Sequence, residues 1–407
     1  MQHRIPPSAD PRRAAQARAV SSCVHCGFCL PACPTYKVLG EEMDSPRGRI
    51  VLMKEVLEGS LPLDEAATHL DRCLGCLACE TACPSGVRYR DLIEPMREDL
   101  VARRPAAGRL QLGGLLRVMA SPTLFRAAAA LGAGAKALAP ALPASIGAML
   151  DLLPATIPAP SPPPAVTAPR GPRRGRVALM TGCVQSVLRP EVTHAAIRVL
   201  AAQGVEVVVP PDQGCCGALA LHAGDAARGM ALAEAHAPRF GSDVDAVLAT
   251  AAGCGSSMKH THTKGAPVLD VLEYLDRLGL VTTFALAAPA RVAYQDACHL
   301  AHAQQVTSAP RRLLSAVDGL TLVPLAQSGL CCGSAGLYNI EQPDLAAALG
   351  RRKAATIAAA DVTRVVTANI GCLTQMRSAL AEAGHAIDVA HVVELLDMAL
   401  PGRRGPQ

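Results

Sequence analysis

The chain has 407 residues, half of them apolar, and a formal net charge of +5, so it is long enough for two or three domains with packed cores. Aromatic residues make up only 2% and tryptophan is absent, which argues against recognition of single-stranded nucleic acid by base stacking. Sixteen cysteines follow an amino terminus without an apolar signal segment, a combination typical of metal-binding thiols in a reducing cytosol. The sequence has no uninterrupted apolar run of about 18 residues, so we expect no transmembrane span.

Residues 1–100 are predicted to form a helical, ferredoxin-like module around two cysteine runs of one pattern. Both runs read C-x₂-C-x₂-C-x₃-C-P, the spacing that holds [4Fe–4S] clusters in bacterial ferredoxins, where the fourth cysteine of each run binds the other cluster. A zinc ion needs only four ligands and would leave the second C-x₂ step of each run unexplained, and disulfides need an oxidising compartment. We therefore predict two [4Fe–4S] clusters, one bound by Cys23, Cys26, Cys29 and Cys83, the other by Cys73, Cys76, Cys79 and Cys33.

The segment between the two runs is longer than a minimal two-cluster ferredoxin needs, and part of it is expected to be helical. Ile50, Met53 and Leu57 recur on one helix face, and Gly59 is placed to end that helix. A second helix is predicted from Asp64, shortly before the second cysteine run.

Two segments of biased composition follow the module. Residues 101–153 are rich in Ala, Leu and Gly and predict a helical connector, which packs either on this chain's own modules or on a partner or membrane surface. Residues 154–175 contain many prolines and are typical of a semi-rigid linker.

The rest of the chain is an internal repeat that predicts two α/β cysteine-rich lobes, residues 176–285 and 286–400. Residues 177–183 correspond to 292–298, residues 214–217 to 330–333, and residues 246–254 to 365–372. Within each unit, short β-branched runs alternate with Ala-rich helical stretches, as in βα units around a parallel sheet. The fold class is therefore α+β and multidomain, a helical two-cluster module followed by two duplicated lobes.

Each lobe has four cysteines that follow its strand-like runs, and ligand sites form at the carboxyl ends of parallel strands. Gly217 and Gly333 would permit the positive φ that brings two adjacent sulfurs inward. A further iron–sulfur cluster in one or both lobes, and a structural set that holds zinc or nothing, both remain open. The nearby His260, His262, His299 and His302 are more typical of hydrogen-bonded side chains than of ligands. The possible additional metal sites are Cys183, Cys215, Cys216 and Cys254 in one lobe, and Cys298, Cys331, Cys332 and Cys372 in the other.

Several motifs resemble the iron–sulfur subunits of bacterial glycolate oxidase (glycolate dehydrogenase), across nearly the whole chain. That resemblance implies flavin-containing partner subunits that oxidise glycolate to glyoxylate. It implies electron transfer alone for this chain, with two [4Fe–4S] clusters, no flavin and no catalytic residue, and delivery of electrons towards the membrane quinone pool. It also implies peripheral association with the inner face of the cell membrane. The motifs are residues 23–29, 34–36, 44–50, 69–73, 80–87, 331–336 and 367–372.

Related families share this architecture and remain as alternatives. They include iron–sulfur subunits of lactate and glycerol-3-phosphate dehydrogenases, and heterodisulfide reductases, in which the lobe could itself reduce a substrate. In the heterodisulfide enzymes another cysteine follows the last one by three positions, where this chain has Ser257 and Gln375. That difference, and the motifs at 44–50 and 367–372, favour the glycolate enzyme. A scaffold that uses zinc only for structure is the third possibility.

Overall fold

The computed structural model describes residues 1–262 and 264–403. Its first part is a helical module whose core buries Val20, Met53, Leu70 and Leu92. Such residues recur at helical spacing, so each short helix buries one apolar stripe against its neighbours. The helices are α1 (Pro11–Ser22), α2 (Pro34–Leu39), α3 (Pro46–Glu58), α4 (Leu63–Asp71), α5 (Ala78–Thr81) and α6 (Arg90–Arg103), with a 3₁₀ turn at Glu42–Asp44.

Helix α3 confirms the predicted helix between the cysteine runs. Ile50, Met53 and Leu57 are buried on its inner face, and Gly59 ends it with φ 81°. The side chain of Ser45 caps its first turn by accepting a hydrogen bond from the Gly48 N–H at 3.0 Å. Gly48 is required by close packing, because a Cβ there would lie 2.0 Å from a backbone carbonyl oxygen. The motif at 44–50 thus fixes where α3 begins.

The Ala- and Leu-rich connector is helical as predicted. It packs on the rest of the chain through Leu112, Leu116 and Phe125, while Leu110 and Leu131 remain 78% and 77% exposed. In the parts of the chain that the structure describes, each helix is too short or too polar to cross a membrane. The connector consists of α7 (Ala106–Ala120), α8 (Pro122–Gly134), a 3₁₀ segment at Lys136–Ala141 and α9 (Ala144–Asp151).

The proline-rich segment is mostly without regular structure, but it also adds a strand to the first lobe. Strand β1 (Val166–Thr167) pairs antiparallel with Val207 and Val208. Composition alone predicts only a linker here, because an edge strand this short leaves no periodic pattern. The prolines around it suit an edge, where not every backbone N–H needs a partner.

The first lobe is a twisted sheet with helices packed against it. Strand β2 (Gly175–Leu179) lies centrally and pairs parallel with β3 (Val205–Val208) and β4 (Ala246–Ala249), and β5 (Val268–Asp270) extends the sheet beyond β4. The strand order is β1-β3-β2-β4-β5. The helices are α10 (Gln185–Leu188), α11 (Pro190–Ala202), α12 (Ala218–His222), α13 (Ala226–His236), α14 (Ala252–Thr261) and α15 (Val271–Leu278), with a 3₁₀ turn at Ala237–Phe240.

The second lobe repeats this topology. Its order, β7-β6-β8-β9, matches β3-β2-β4-β5 strand for strand, and all its neighbours are parallel. The duplication seen in the sequence is therefore a duplication of structure. The strands are β6 (Phe284–Tyr294), β7 (Val317–Val323), β8 (Arg364–Thr367) and β9 (Asp388–His391). The helices are α16 (Ser308–Ser315), α17 (Tyr338–Glu341), α18 (Pro343–Ala358), α19 (Ile370–Glu382) and α20 (Val392–Met398), with a π-helical turn at His299–Ala303.

The two lobes share one apolar core. Val199 and Leu200 of α11 belong to the same buried cluster as Leu395 and Leu396 of α20. At the edge of this interface Arg198 forms an ion pair with the buried carboxylate of Asp397 at 2.7 Å. Because the core is continuous, the cysteines of both lobes are held in one body with the sheets.

Candidate iron–sulfur and thiol sites

The first cysteine site lies between the two runs of the helical module. Cys23, Cys26 and Cys29 of the first run and Cys83 of the second line one cavity, and Cys79 also reaches its wall. Cys26 is exposed, whereas Cys23 is buried. This site therefore lies at the surface of the module.

The second site lies deeper and uses the reciprocal set. Cys73, Cys76 and Cys79 line it together with Cys33 from the first run. Within residues 1–262 and 264–403, no three His, Cys, Asp or Glu side chains converge tightly enough to hold a single metal ion. The thiols instead surround two adjacent cavities in two groups of four, which is the donor set and the grouping that a pair of [4Fe–4S] cubanes requires.

The two runs wrap their cavities with the same backbone conformation. His25 and Gly27 have φ of 56° and 82°, and the equivalent Gly75 and Leu77 have φ of 62° and 60°. Left-handed residues at these positions turn successive peptide N–H groups towards the enclosed space. The Gly75 N–H lies 3.4 Å from the Cys73 sulfur. Such N–H groups can offset the negative charge of thiolates and of a bound cluster.

A buried arginine lies against the second site. Arg49 is 1% exposed and its Nη1 lies 3.9 Å from the Cys33 sulfur. The same nitrogen donates to Thr35 Oγ1 at 3.1 Å, and Nη2 pairs with the fully buried Asp44 at 3.3 Å. Because Asp44 also pairs with Arg72 at 2.9 Å, this charged group is compensated and fixed in place.

The Cys73 thiol shows the effect of these charges. Burial acts to raise the pKa of this thiol, but the positive charges of Arg49 and Arg97 and hydrogen bonds from Gly75 and Tyr89 outweigh it, so the pKa is lowered. Iron binds the thiolate form of cysteine. The positive surroundings therefore favour the ligating form of Cys73, whereas burial raises the pKa of the Cys76 and Cys79 thiols.

The lobes contact the second site directly. His222 of the first lobe lies 2.8 Å from the Leu74 carbonyl oxygen, and burial lowers its pKa to about 3, so it is neutral at pH 7 and can donate there. The guanidinium of Arg97 donates to the carbonyl oxygens of both Cys73 and His222. Tyr338 of the second lobe donates to the Arg72 carbonyl oxygen at 2.9 Å. The backbone of the second cysteine run is thus positioned by both lobes.

Each lobe brings its four cysteines together after the strands, as predicted. In the first lobe the sulfurs of Cys183 and Cys215 are 3.5 Å apart, and Cys216 contacts Cys215 and Cys254. In the second lobe contacts run from Cys298 through Cys331 and Cys332 to Cys372, and all four are buried. Cys298 and Cys331 pack in one apolar cluster with Cys76, so the second set adjoins the second site of the module.

The glycine after each cysteine pair has the predicted positive φ, 79° at Gly217 and 96° at Gly333. Both are also closely packed, since a Cβ would lie 2.1 Å from Gly229 O in one lobe and 2.7 Å from Ala346 O in the other. Of the nearby histidines, His302 lies within hydrogen-bond distance of Thr81 Oγ1 at 3.1 Å and Gly329 O at 3.0 Å. That contact is typical of a structural role.

Two family models match this chain. A 4Fe-4S dicluster domain matches residues 19–87, which contain both cysteine runs. A cysteine-rich domain matches twice, over residues 177–259 and 292–377, which contain the two thiol sets of the lobes. Together these matches agree with the module and the duplicated lobes described above.

Curated relatives match over nearly the whole chain. The glycolate oxidase iron-sulfur subunit of Escherichia coli is 36% identical over 95% of this chain and 96% of its own length. The probable glycolate oxidase iron-sulfur subunit of Bacillus subtilis is 33% identical over 92% and 93%. A crystal structure of a hypothetical protein from Helicobacter pylori shares the fold alone, at 11% identity and a TM-score of 0.51, over 98% of this chain and 74% of that one. This chain belongs to the family of glycolate oxidase iron–sulfur subunits.

Proposed function

We propose that this chain is the electron-transfer subunit of a glycolate-oxidising complex and binds two [4Fe–4S] clusters through its eight amino-terminal cysteines. The observation that carries the proposal is the arrangement of these thiols as two groups of four around adjacent cavities. Cys79, Pro46 and Tyr89 line both cavities, so little more than one layer of side chains separates them. Iron–sulfur clusters supply one-electron transfer with a potential set by charge, hydrogen bonds and exposure.

The two sites lie at different depths in the chain, the first at the surface and the second further inside. The first site has an exposed thiol, Cys26, next to Val24 and Phe28, which are each 64% exposed. The second is enclosed and lies beside Cys298 of the second lobe. This order suits entry of electrons at the first site and their transfer through the second site towards the lobes. We also propose that the buried thiols of the second lobe bind a further iron–sulfur cluster.

Oxidation of glycolate to glyoxylate is proposed to take place on a flavin-containing partner subunit. The names of the relatives describe a subunit of glycolate oxidase, which supports a complex with another chain. We expect glycolate alone to leave the visible absorbance of this chain unchanged. Addition of the partner should bleach it in a glycolate-dependent manner, followed by anaerobic spectrophotometry. Bleaching by glycolate without the partner would instead place the oxidation on this chain.

We propose that the connector docks this chain on an anionic membrane surface, on the way to a quinone acceptor. Residues 101–150 contain six Arg or Lys and no Asp or Glu. Leu110, Leu124, Leu131 and Ile146 are exposed on the same segment. Basic helices with exposed apolar side chains bind at the interface of anionic bilayers.

Replacing two of these leucines should release the chain from vesicles. In Leu110→Glu/Leu131→Glu, burial of two leucines is lost, at roughly 3 kcal/mol in total, so sedimentation with phosphatidylglycerol vesicles should weaken by about 100-fold. Val281→Glu is the control, because Val281 is 63% exposed and lies outside the connector. If the double variant and the control sediment like the unmodified protein, the connector is not the docking surface.

A further inference from the structure

A large cavity lies where the module, the connector and both lobes meet. Its volume is about 820 Å³, within the range of small-molecule sites in proteins. Arg97 of the module, Phe125 of the connector, His222 of the first lobe and His299 of the second all line it. It is separate from the two smaller cavities of the amino-terminal cysteines.

The wall formed by the connector is apolar. Helices α7 to α9 present it with side chains that include Leu115, Val118, Met119, Phe125 and Leu150. The same helices carry Leu110 and Leu131, which face solvent. The connector therefore lies between the proposed membrane surface and the cavity, and a lipophilic molecule that leaves a bilayer would meet an apolar wall.

Another part of the wall carries thiols of both lobes. All four cysteines of the first lobe line the cavity, together with Cys298 of the second. Cys298 also packs beside Cys76 of the module. A molecule in this cavity would therefore contact the sulfur sets of both lobes and lie one side chain away from the second site.

Three residues that line the cavity each have a buried side-chain polar atom without a hydrogen-bond partner among the residues that the structure describes. These atoms are Gln185 Oε1, Ser257 Oγ and His299 Nδ1. Gln185 is only 2% exposed, and its amide nitrogen donates to Thr250 Oγ1 at 2.7 Å, which fixes the free oxygen. Buried polar atoms normally have partners, so these point to a ligand with polar groups of its own.

We propose that this cavity binds the quinone that accepts the electrons. This proposal rests on the proposed function. It adds where on this chain the acceptor binds and which residues recognise it. A quinone combines an apolar ring and tail with two oxygens that accept hydrogen bonds when oxidised and donate when reduced. Met119 and Phe125 would pack against the apolar part, and Gln185, Ser257 and His299 would meet the oxygens.

Reduction of a quinone at this site takes two electrons and two protons. Each quinone takes up two electrons, which originate from one glycolate oxidised on the partner. Its two oxygens gain two protons from water and become hydroxyl groups. The Gln185 oxygen can accept a hydrogen bond from such a hydroxyl but not from a carbonyl oxygen, so it favours the reduced product.

Binding to the isolated chain tests the site without requiring electron flow. Equilibrium dialysis of decylubiquinone, in mild detergent and without oxygen, should show one saturable site per chain. Met119→Trp adds bulk to the apolar wall and narrows the space for the quinone, and should weaken binding by about tenfold or more. Gln185→Leu/Ser257→Ala removes two polar partners without adding bulk and should weaken binding of the reduced form, decylubiquinol, severalfold in the same dialysis. Val281→Trp, at an exposed residue that does not line the cavity, should bind as the unmodified chain does.

The assignment is wrong if the unmodified chain shows no saturable binding or if all variants bind equally well. It is also wrong if glutathione disulfide competes with decylubiquinone, because such competition would indicate a disulfide substrate. If Met119→Trp misfolds and loses its iron, the result for Gln185→Leu/Ser257→Ala decides whether the assignment is correct. Failure of glycolate to bleach the chain in the presence of its partner would contradict the proposed function but leave the dialysis result intact, so the two failures are distinguishable.

Discussion

Cys76→Ser should remove the iron of the second site and stop glycolate-dependent electron flow through the complex. Cys76 is buried in the wall of that site, and a serine oxygen is a poor substitute for the soft thiolate that iron–sulfur clusters require. The chain should lose about four of its amino-terminal irons. Reduction of decylubiquinone by glycolate should fall by about 100-fold or more, because loss of a ligand exceeds the 10–100-fold cost of a lost outer-shell partner. The flavin of the partner should still be reduced by glycolate.

Ala82→Ser is the matched control for this variant. It introduces a serine into the same cysteine run, at a half-buried position, and removes no thiol. Iron content and electron flow should stay close to those of the unmodified chain. If the complex with Cys76→Ser turned over at the unmodified rate, electron transfer from glycolate would not pass through the second site.

Arg49→Gln should lower the reduction potential of the second site by on the order of 100 mV. A unit charge several ångströms away contributes roughly 3 kcal/mol at an effective dielectric constant of about 20, and a tenfold change in a one-electron equilibrium corresponds to about 59 mV. Arg49 is the buried cation that faces Cys33. Removing its charge disfavours the reduced, more negative state. A potentiometric titration followed by electron paramagnetic resonance measures the shift.

Arg72→Gln separates this electrostatic effect from a loss of fold. Arg72 pairs with the other oxygen of Asp44 but is not among the residues that line either cysteine cavity. It should weaken the hold on Asp44 but shift the potential much less than Arg49→Gln does. Equal shifts in both variants would mean that Asp44, rather than the charge of Arg49, controls the potential.

The grouping of the cysteines could be predicted from the sequence because it depends on local spacing. The three cysteines of a C-x₂-C-x₂-C run surround one space, and the pattern of two-cluster ferredoxins predicts that two such runs exchange their fourth cysteines. The lobe sets were predictable for a similar reason, since cysteines that follow parallel strands meet at one sheet edge. In both cases a short sequence pattern determines which cysteines lie close together in the fold.

The surroundings of the second site could not be predicted in this way. His222 and Arg97 are 125 residues apart, and nothing in either local sequence indicates that they meet at Leu74 and Cys73. Arg49 lies in a motif that the sequence singles out, but its burial against Cys33 depends on how α3 packs. Leu77 takes a left-handed conformation that its residue type disfavours, so the wrapped run and not the local sequence imposes it.

Iron and acid-labile sulfide per chain, measured on protein purified without oxygen, test the central claim most directly. If the eight amino-terminal thiols bind two cubanes, the protein should be brown and contain at least about eight irons and eight sulfides. A cluster in the second lobe would add to that number. A colourless protein with zinc as its only metal would contradict the account, since its thiols would then serve structure and not electron transfer.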